Sequence, residues 1–400
     1  MGDYVRVRLG EVLSKSAAWV SIQPDVKYRL VTVRGRGKGL VTRTEVAGAE
    51  ISGHRRLALR PSQFVVSRID ARHGSMGIVP PELDGAVVTS DFPAFDVDES
   101  RVLPKYLGWL SRSPDFVARC QAVSVGTTNR VRLNESQFLA LEIHIPPLAD
   151  QERTVNRLEA SEALANRIRQ ESSDTVHAAM AVLAASEREI WPEEEVRESP
   201  TLEQVTTFLS RGRQSLQGES DHFLIKTKHV QMGKYVPTSL RLAPAVAEKV
   251  RSEATVRNHD VLIACSAAGC LGRVAYYTGD GITASTDTHV AIARGDPHKV
   301  LPQYLFRYLV SQVGQHQLRS RERGDWEREK VGFRLTELNL RDLREVPVPV
   351  PKKEEQGRIV DKLAALDQRL TALVALHQQQ AIELDALLPA LLVRLFPNGD

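Results

Sequence analysis

The stretch Val33-Arg-Gly-Arg-Gly-Lys-Gly39 sets three cations, Arg34, Arg36 and Lys38, between glycines, a pattern that could wrap a phosphate. A nucleotide-triphosphate loop of this kind ends in Lys-Ser or Lys-Thr, whose hydroxyl reaches the magnesium ion. That ending is absent. The run therefore reads as a basic turn that offers its side chains to nucleic-acid phosphates or base edges, with a plain solvated loop as the alternative. Arg55, Arg56, Arg72 and His73 flank the apolar run Phe64-Val-Val66. An arginine in such a place could hold guanine through O6 and N7 together. Thr127, Thr128, Asn129 and Arg130 add hydrogen-bonding side chains further on. In the second half Lys226, Lys228, His229 and Lys234 occupy the place matching the first basic loop, and Arg319, Arg321, Arg323 and Trp326 fall in an inserted loop. All of these are candidate contacts to double-stranded DNA.

Catalytic patterns are harder to find. An adenine methyltransferase needs an aromatic-ended NPPY or DPPY loop to hold the flipped base, and a glycine-rich cofactor turn after a strand. Ile145-Pro-Pro-Leu148 lacks the polar residue that would bind the base. No His and acid cluster has metal spacing, although scattered nuclease carboxylates stay open as a possibility. Cys120, Cys265 and Cys270 show no CxxC pairing, which fits a reducing compartment. Lone histidines such as His144 read as structural.

Charge supports a local rather than a global affinity for phosphate. The net charge is +3, but residues 1–73 hold fourteen Lys or Arg against six Asp or Glu. A positive field confined to one region is what phosphate contact requires, although a solvated face would look the same. With 42% apolar and 26% charged residues, the 400-residue chain has the composition of a globular protein with two domains or more. No run approaches the roughly 18 apolar residues of a spanning helix, and no signal segment opens the chain, so no membrane is expected and the cytoplasm is the expected location.

The elements that must position these residues come in two copies. Val102-Leu-Pro-Lys-Tyr-Leu107 recurs as Val300-Leu-Pro-Gln-Tyr-Leu305, and Gly74-Ser-Met-Gly77 as Gly269-Cys-Leu-Gly272. Asp84-Gly85 and Asp91 answer Asp280-Gly281 and Asp287. At a constant offset of 205, Leu133-Asn134, Pro146, Gln151, Arg153, Val155 and Leu158 match Leu338-Asn339, Pro351, Gln356, Arg358, Val360 and Leu363. Each copy reads as strands near 28–33 or 223–227, then Phe64-Val-Val or Val261-Leu-Ile, then a helix opening near Pro104 or Pro302. The prolines of 346–350 argue for an edge or a connector. The acid run Glu193-Glu-Glu195 reads as a solvated linker.

After each copy the pattern turns to long helix. Val155, Leu158, Ala165, Ile168, Val176, Met180 and Leu183 make one apolar stripe, and Ile359, Leu363, Leu366, Leu370 and Leu373 a seam of coiled-coil type, which Leu384, Leu387, Leu388 and Leu391 extend. Some 40 residues would span roughly 60 Å, more than one such domain needs, so each stripe wants a partner of equal length. The expected fold class is α+β: two homologous mixed α/β modules joined by two long antiparallel coiled-coil helices in pseudo-two-fold symmetry. The expected boundaries are 1–147 for the first module, 148–192 for the central helix, 193–351 for the second module and 352–396 for the C-terminal helix.

The stretch Leu141-Glu-Ile-His-Ile-Pro-Pro-Leu-Ala-Asp-Gln-Glu-Arg-Thr-Val155 with Asn-Arg-Leu158 resembles the signature that ends the first target recognition domain of type I restriction-modification specificity subunits. Val348-Pro-Val-Pro-Lys-Lys-Glu-Glu-Gln-Gly-Arg-Ile-Val360 is a second copy, in which Val350-Pro-Lys-Lys-Glu replaces the Pro-Pro-Leu form. Val7-Arg-Leu-Gly-Glu-Val12 and the passage from Asp260-Val-Leu-Ile263 to Gly272-Arg-Val274 also read like this family. The resemblance implies a non-catalytic subunit that reads a bipartite DNA target with an unread spacer. It implies no cofactor in this chain, with S-adenosylmethionine in two partner modification subunits that methylate adenine N6, and separate restriction subunits that cut. A coiled-coil adaptor of a defence complex without strong sequence reading, and a DNA-modifying enzyme, stand as the alternatives.

Overall fold

The computed structural model describes residues 4–126, 131–213, 216–266, 269–279, 281–322 and 337–396. It divides into two compact units, one of residues 1–172 with 377–400 and the other of residues 173–376.

In the first unit the apolar run Phe64–Val66 lies at the centre of a four-stranded antiparallel sheet. The strand order is Leu13–Lys15, Ala94–Val97, Phe64–Val66, Met76–Ile78. Phe64, Phe95, Phe116 and Phe138 are buried around it, each worth roughly 2 kcal/mol by removal from water. The expected helix opens at Pro104 and runs to Leu110, since proline lacks only a donor that a first turn leaves unused. A second helix, Pro114–Ala122, is capped by Ser113, whose hydroxyl accepts from the Phe116 N–H. A second sheet, of five strands in the order Trp19–Ser21, Arg55–Ala58, Val87–Val88, Lys27–Val33, Leu40–Ala47, has its own small core of Val31, Leu57, Val79 and Leu83.

The second unit repeats the central sheet strand for strand: Thr206–Arg211, Val290–Gly295, Val261–Ala264, Val274–Tyr276. Its helix opens at Pro302, and Asn339 caps the helix Leu340–Arg344 as Asn134 caps Glu135–Leu139. Residues 346–348 form no strand of their own. Instead Leu202 N–H donates to Val346 O, and the hydroxyls of Tyr308 and Tyr304 donate to the carbonyls of Pro347 and Pro349. The proline-rich junction thus keeps its acceptors satisfied without a ladder. The acid run 193–195 departs from its reading as a linker. It opens the short helix Glu193–Arg197, which buries Val196 beside Trp191, and the Trp191 indole donates to Tyr304 Oη at 2.9 Å.

The repeated glutamines have one role in both units. Gln151 is fully buried, accepts from Leu103 N–H, and donates to Arg101 O and Pro146 O. Gln356 does the same with Leu301 N–H, Lys299 O and Pro351 O. Each pins the first turn of a long helix to the entry of the helix at Pro104 or Pro302.

The long helices are Leu148–Ile190 and Lys353–Leu395, of 43 residues each. Within the first unit they run antiparallel: Arg169 pairs with Asp385 at 2.8 Å, and the Ser172 hydroxyl meets Gln380 at 2.6 Å and His377 at 2.9 Å. Val155, Leu158 and Ala165 are buried, but Met180 is half exposed and Ala184 takes the inward place after Leu183. Leu387 likewise faces outward more than Leu388. A drift of about 20° per heptad accounts for such misplacements when a stripe is read without its partner.

Glu135 gives a pH-dependent lock in the first unit. Burial raises its pKa, but hydrogen bonds from Lys15 and Arg68 outweigh this and hold the carboxyl below the usual carboxylate range. A depressed folded-state pKa stabilises above the unfolded value of about 4.3, and that stability is lost as pH falls through the folded value. Glu135→Gln should therefore flatten the acid side of the stability profile from about pH 5 downward. An unaltered slope in urea midpoints across that range would count against the lock.

Candidate nucleic-acid interface

The basic run closes the hairpin between strands Lys27–Val33 and Leu40–Ala47. Its tip is latched rather than loose. Arg34 N–H donates to Gly39 O at 2.8 Å, Arg36 N–H to His73 O at 2.7 Å and Gly37 N–H to Gly74 O at 3.0 Å. Arg36 takes a left-handed φ of 58°, which is costly for a residue with a side chain and persists here because the latch fixes it. Gly37 follows at φ 66°, and a Cβ there would meet Arg112 Cγ at 2.5 Å, so only glycine lets the tip lie against Arg112. Arg112 stacks on Trp109 and pairs with Glu162 of the first long helix at 3.0 Å.

The latch brings together two groups 34 or more residues apart in sequence: Arg34, Arg36 and Lys38 on the hairpin, and Arg72 and His73 on the turn Ala71–His73. Arg55 joins them. Leu30, Val87 and Ala58 lie level in the five-stranded sheet, and from that level Arg34 and Arg55 lie in the same direction, at one end of the sheet. Two strand spacings, about 10 Å, separate their strands.

The densest group of free cations lies at this end, with Lys27 and Arg43 also exposed and unpaired elsewhere on the same sheet among the described residues. Arg6, Arg60, Arg68, Arg119 and Arg132 are each neutralised by a carboxylate. Among the described residues Arg34, Arg36 and Lys38 are exposed and have no side-chain partner, and Arg55 has only the ring of Trp19, 5.8 Å away. Arg56 is different: its guanidinium donates to the carbonyls of Arg55 and Ser52, so it braces the loop. Arg72 is half-buried, and its Nε lacks a partner.

In the second unit the structure alters several assignments. Lys226, Lys228 and His229 lie in and beside a 3-10 turn, Thr227–His229, after the strand His222–Ile225, and Lys234 opens the short strand Lys234–Tyr235. The strand His222–Ile225 pairs in parallel with Thr283–Thr286 as Lys27–Val33 does with Val87–Val88, so these lysines follow the strand equivalent to the one before the first basic tip, on a 3-10 turn in place of a hairpin tip. His229 is buried and its Nδ1 accepts from Lys226 N–H. Burial, then Lys228 and Lys226, lower its pKa. Its place is inside the turn, and it is corrected from a contact to a support. Arg319 ends the helix Gln312–Arg319 rather than sitting in an inserted loop, and Arg321 donates back to Gln317. Thr127, Thr128, Asn129, Arg130, Arg323 and Trp326 lie outside the described residues.

Sequence reading missed a second group of free cations. Arg213, Lys249 and Arg251 rim a cleft of about 470 Å³ in the second unit, and none has a side-chain partner among the described residues. Lys249-Val-Arg251 is a visible basic pair, but its meeting with Arg213 depends on the fold. Among the described residues no group of three His, Cys, Asp or Glu could hold a metal ion, and no helix is long and apolar enough to cross a membrane.

Residues 244–384 match the family model of the type I restriction modification DNA specificity domain. No curated protein sequence matches significantly. Among solved structures, the HsdS subunit of Thermoanaerobacter tengcongensis aligns over 99% of this chain and 97% of its own, at 19% identity and a TM-score of 0.64. A structure described under complex assembly and conformational transition of the type I R-M system aligns over 99% and 98%, at 19% identity and a TM-score of 0.72. At this identity the likeness establishes a shared fold over the whole length, mixed α/β with a long helix of coiled-coil type. The chain thus matches the type I restriction modification DNA specificity domain over residues 244–384 and shares its fold with these structures over its whole length.

Proposed function

We propose that this chain reads a bipartite DNA target, with an unread spacer, and brings modification and restriction subunits to it without chemistry of its own. The observation that carries the reading is the gathering of unpaired cations at one end of the first module's sheet, on a latched tip. Phosphate contacts need charge that is not already spent, and base contacts need side chains held in register. Under this reading residues 1–147 and 193–351 are two reading heads, and the helices of 148–192 and 352–396 lie antiparallel as the spacer in a pseudo-two-fold arrangement. The matching strand orders and the paired roles of Gln151 and Gln356 support the duplication. S-adenosylmethionine belongs to the two modification subunits.

Exchanging residues 1–145 for another module of the family is the direct test. Methylation mapping of genomic DNA should then show one half of the target changed and the other intact. A change in both halves, or in neither, would refute independent heads. Inserting about four residues, close to one helical turn, near Ser173 should alter the preferred gap between half-sites. A constant gap would remove the spacer role from the helices.

A further inference from the structure

The cleft of the second module has a shape that phosphate contact alone does not require. Cations on an open surface suffice for a DNA backbone. Here Arg213, Lys249 and Arg251 stand over a concavity of about 470 Å³ walled by Phe208, Val246 and Val250, with Glu253 the one carboxylate on its lining. Such a volume, apolar with a few polar groups, falls in the range that small ligands fill. On its lining is Thr286, 3% exposed, whose hydroxyl has no hydrogen-bond partner among the described residues.

Position connects the cleft with nucleic acid. It lies where the strand Thr206–Arg211 ends beside the start of Val290–Gly295. In the first module the equivalent strands, Leu13–Lys15 and Ala94–Val97, meet at the end of the sheet from which residues 67–75 reach the latched basic tip. The free cations of both modules thus stand at the same end of the repeated sheet.

We propose that this cleft binds one nucleotide, with the heterocyclic base against Phe208, Val246 and Val250 and the phosphate on Arg213, Lys249 and Arg251. The proposal rests on the reading of the chain as a DNA reader and adds an enclosed site to it. A free nucleotide and a nucleotide turned out of the duplex present the same chemistry, and turning a base out costs a few kcal/mol, least at a weak pair.

The full-length protein would be titrated with each deoxynucleoside monophosphate, and with target duplexes carrying 2-aminopurine at successive positions of the second half-site. Mononucleotide binding without a fluorescence rise identifies a free nucleotide as the occupant. A rise confined to one position identifies the duplex's own base. In either case Ala245→Trp, which fills the cleft and keeps every cation, should weaken the signal at least tenfold, and Lys249→Ala with Arg251→Ala should do the same. Arg197→Ala, which removes an exposed cation already paired with Glu193, should leave it unchanged. Absence of both signals in the wild type, or signals indifferent to both cleft variants, overturns the proposal. Wild-type preference for its target duplex, measured alongside, separates that failure from a failure of the DNA-reading function.

Discussion

Gln151→Leu should destabilise the first unit by roughly 3 kcal/mol or more, an effect out of proportion to the loss of one uncharged side chain. The amide is fully buried and serves three backbone groups: the Leu103 N–H and the carbonyls of Arg101 and Pro146. Leucine fills much of the volume but offers no partner to any of them, and each buried group left unpaired costs about 1–3 kcal/mol. Gln356→Leu should act alike on the second unit, through Leu301 N–H, Lys299 O and Pro351 O. Urea unfolding of the two variants is the measurement. Midpoints within error of the wild type would mean that water replaces the amide.

These glutamines also show how far sequence reaches. Their offset of 205 marked them as a repeat, yet two of the three partners of each lie some 50 residues upstream, and no periodicity encodes a contact across that distance. Local signals fared better. Proline is tolerated where a first turn has an unused donor, so Pro104 and Pro302 named their helices, and two uninterrupted 43-residue helices followed from the absence of breakers or from a regular leucine seam. The basic hairpin was legible as composition. Its latch to His73 and Gly74 was not, because the register of one strand pair against the turn of another sheet is a tertiary choice. His229 misled because a polar residue type says what a side chain prefers in water, while a neighbouring backbone donor decides where it goes; the side chains of 193–195 stay exposed as read, and what the sequence hid is the short helix they open, which buries Val196.

Replacing Arg34, Arg36 and Lys38 together by alanine should lower the salt dependence of DNA binding by nearly three units of log K against log salt, since each phosphate contact contributes about 0.9. At an ionic strength near 0.15 M the same slope amounts to a roughly hundredfold loss of affinity. All three are exposed and carry no internal pairing, so the fold loses little by their removal. A matched control removes cations that are already neutralised, Arg6 beside Glu142 and Arg60 beside Asp96. Exposed pairs of that kind contribute only about 0–1 kcal/mol to stability, and their alanine variants should keep the wild-type slope. Single replacement of Arg36 separates the two uses of an arginine. If its latched backbone aims it at a base edge, Arg36→Ala should relax one position of the first half-site in a methylation map. A phosphate contact would instead weaken all sequences equally and take about one unit from the slope. A slope unchanged in the triple variant would remove the hairpin from the interface, however basic it is.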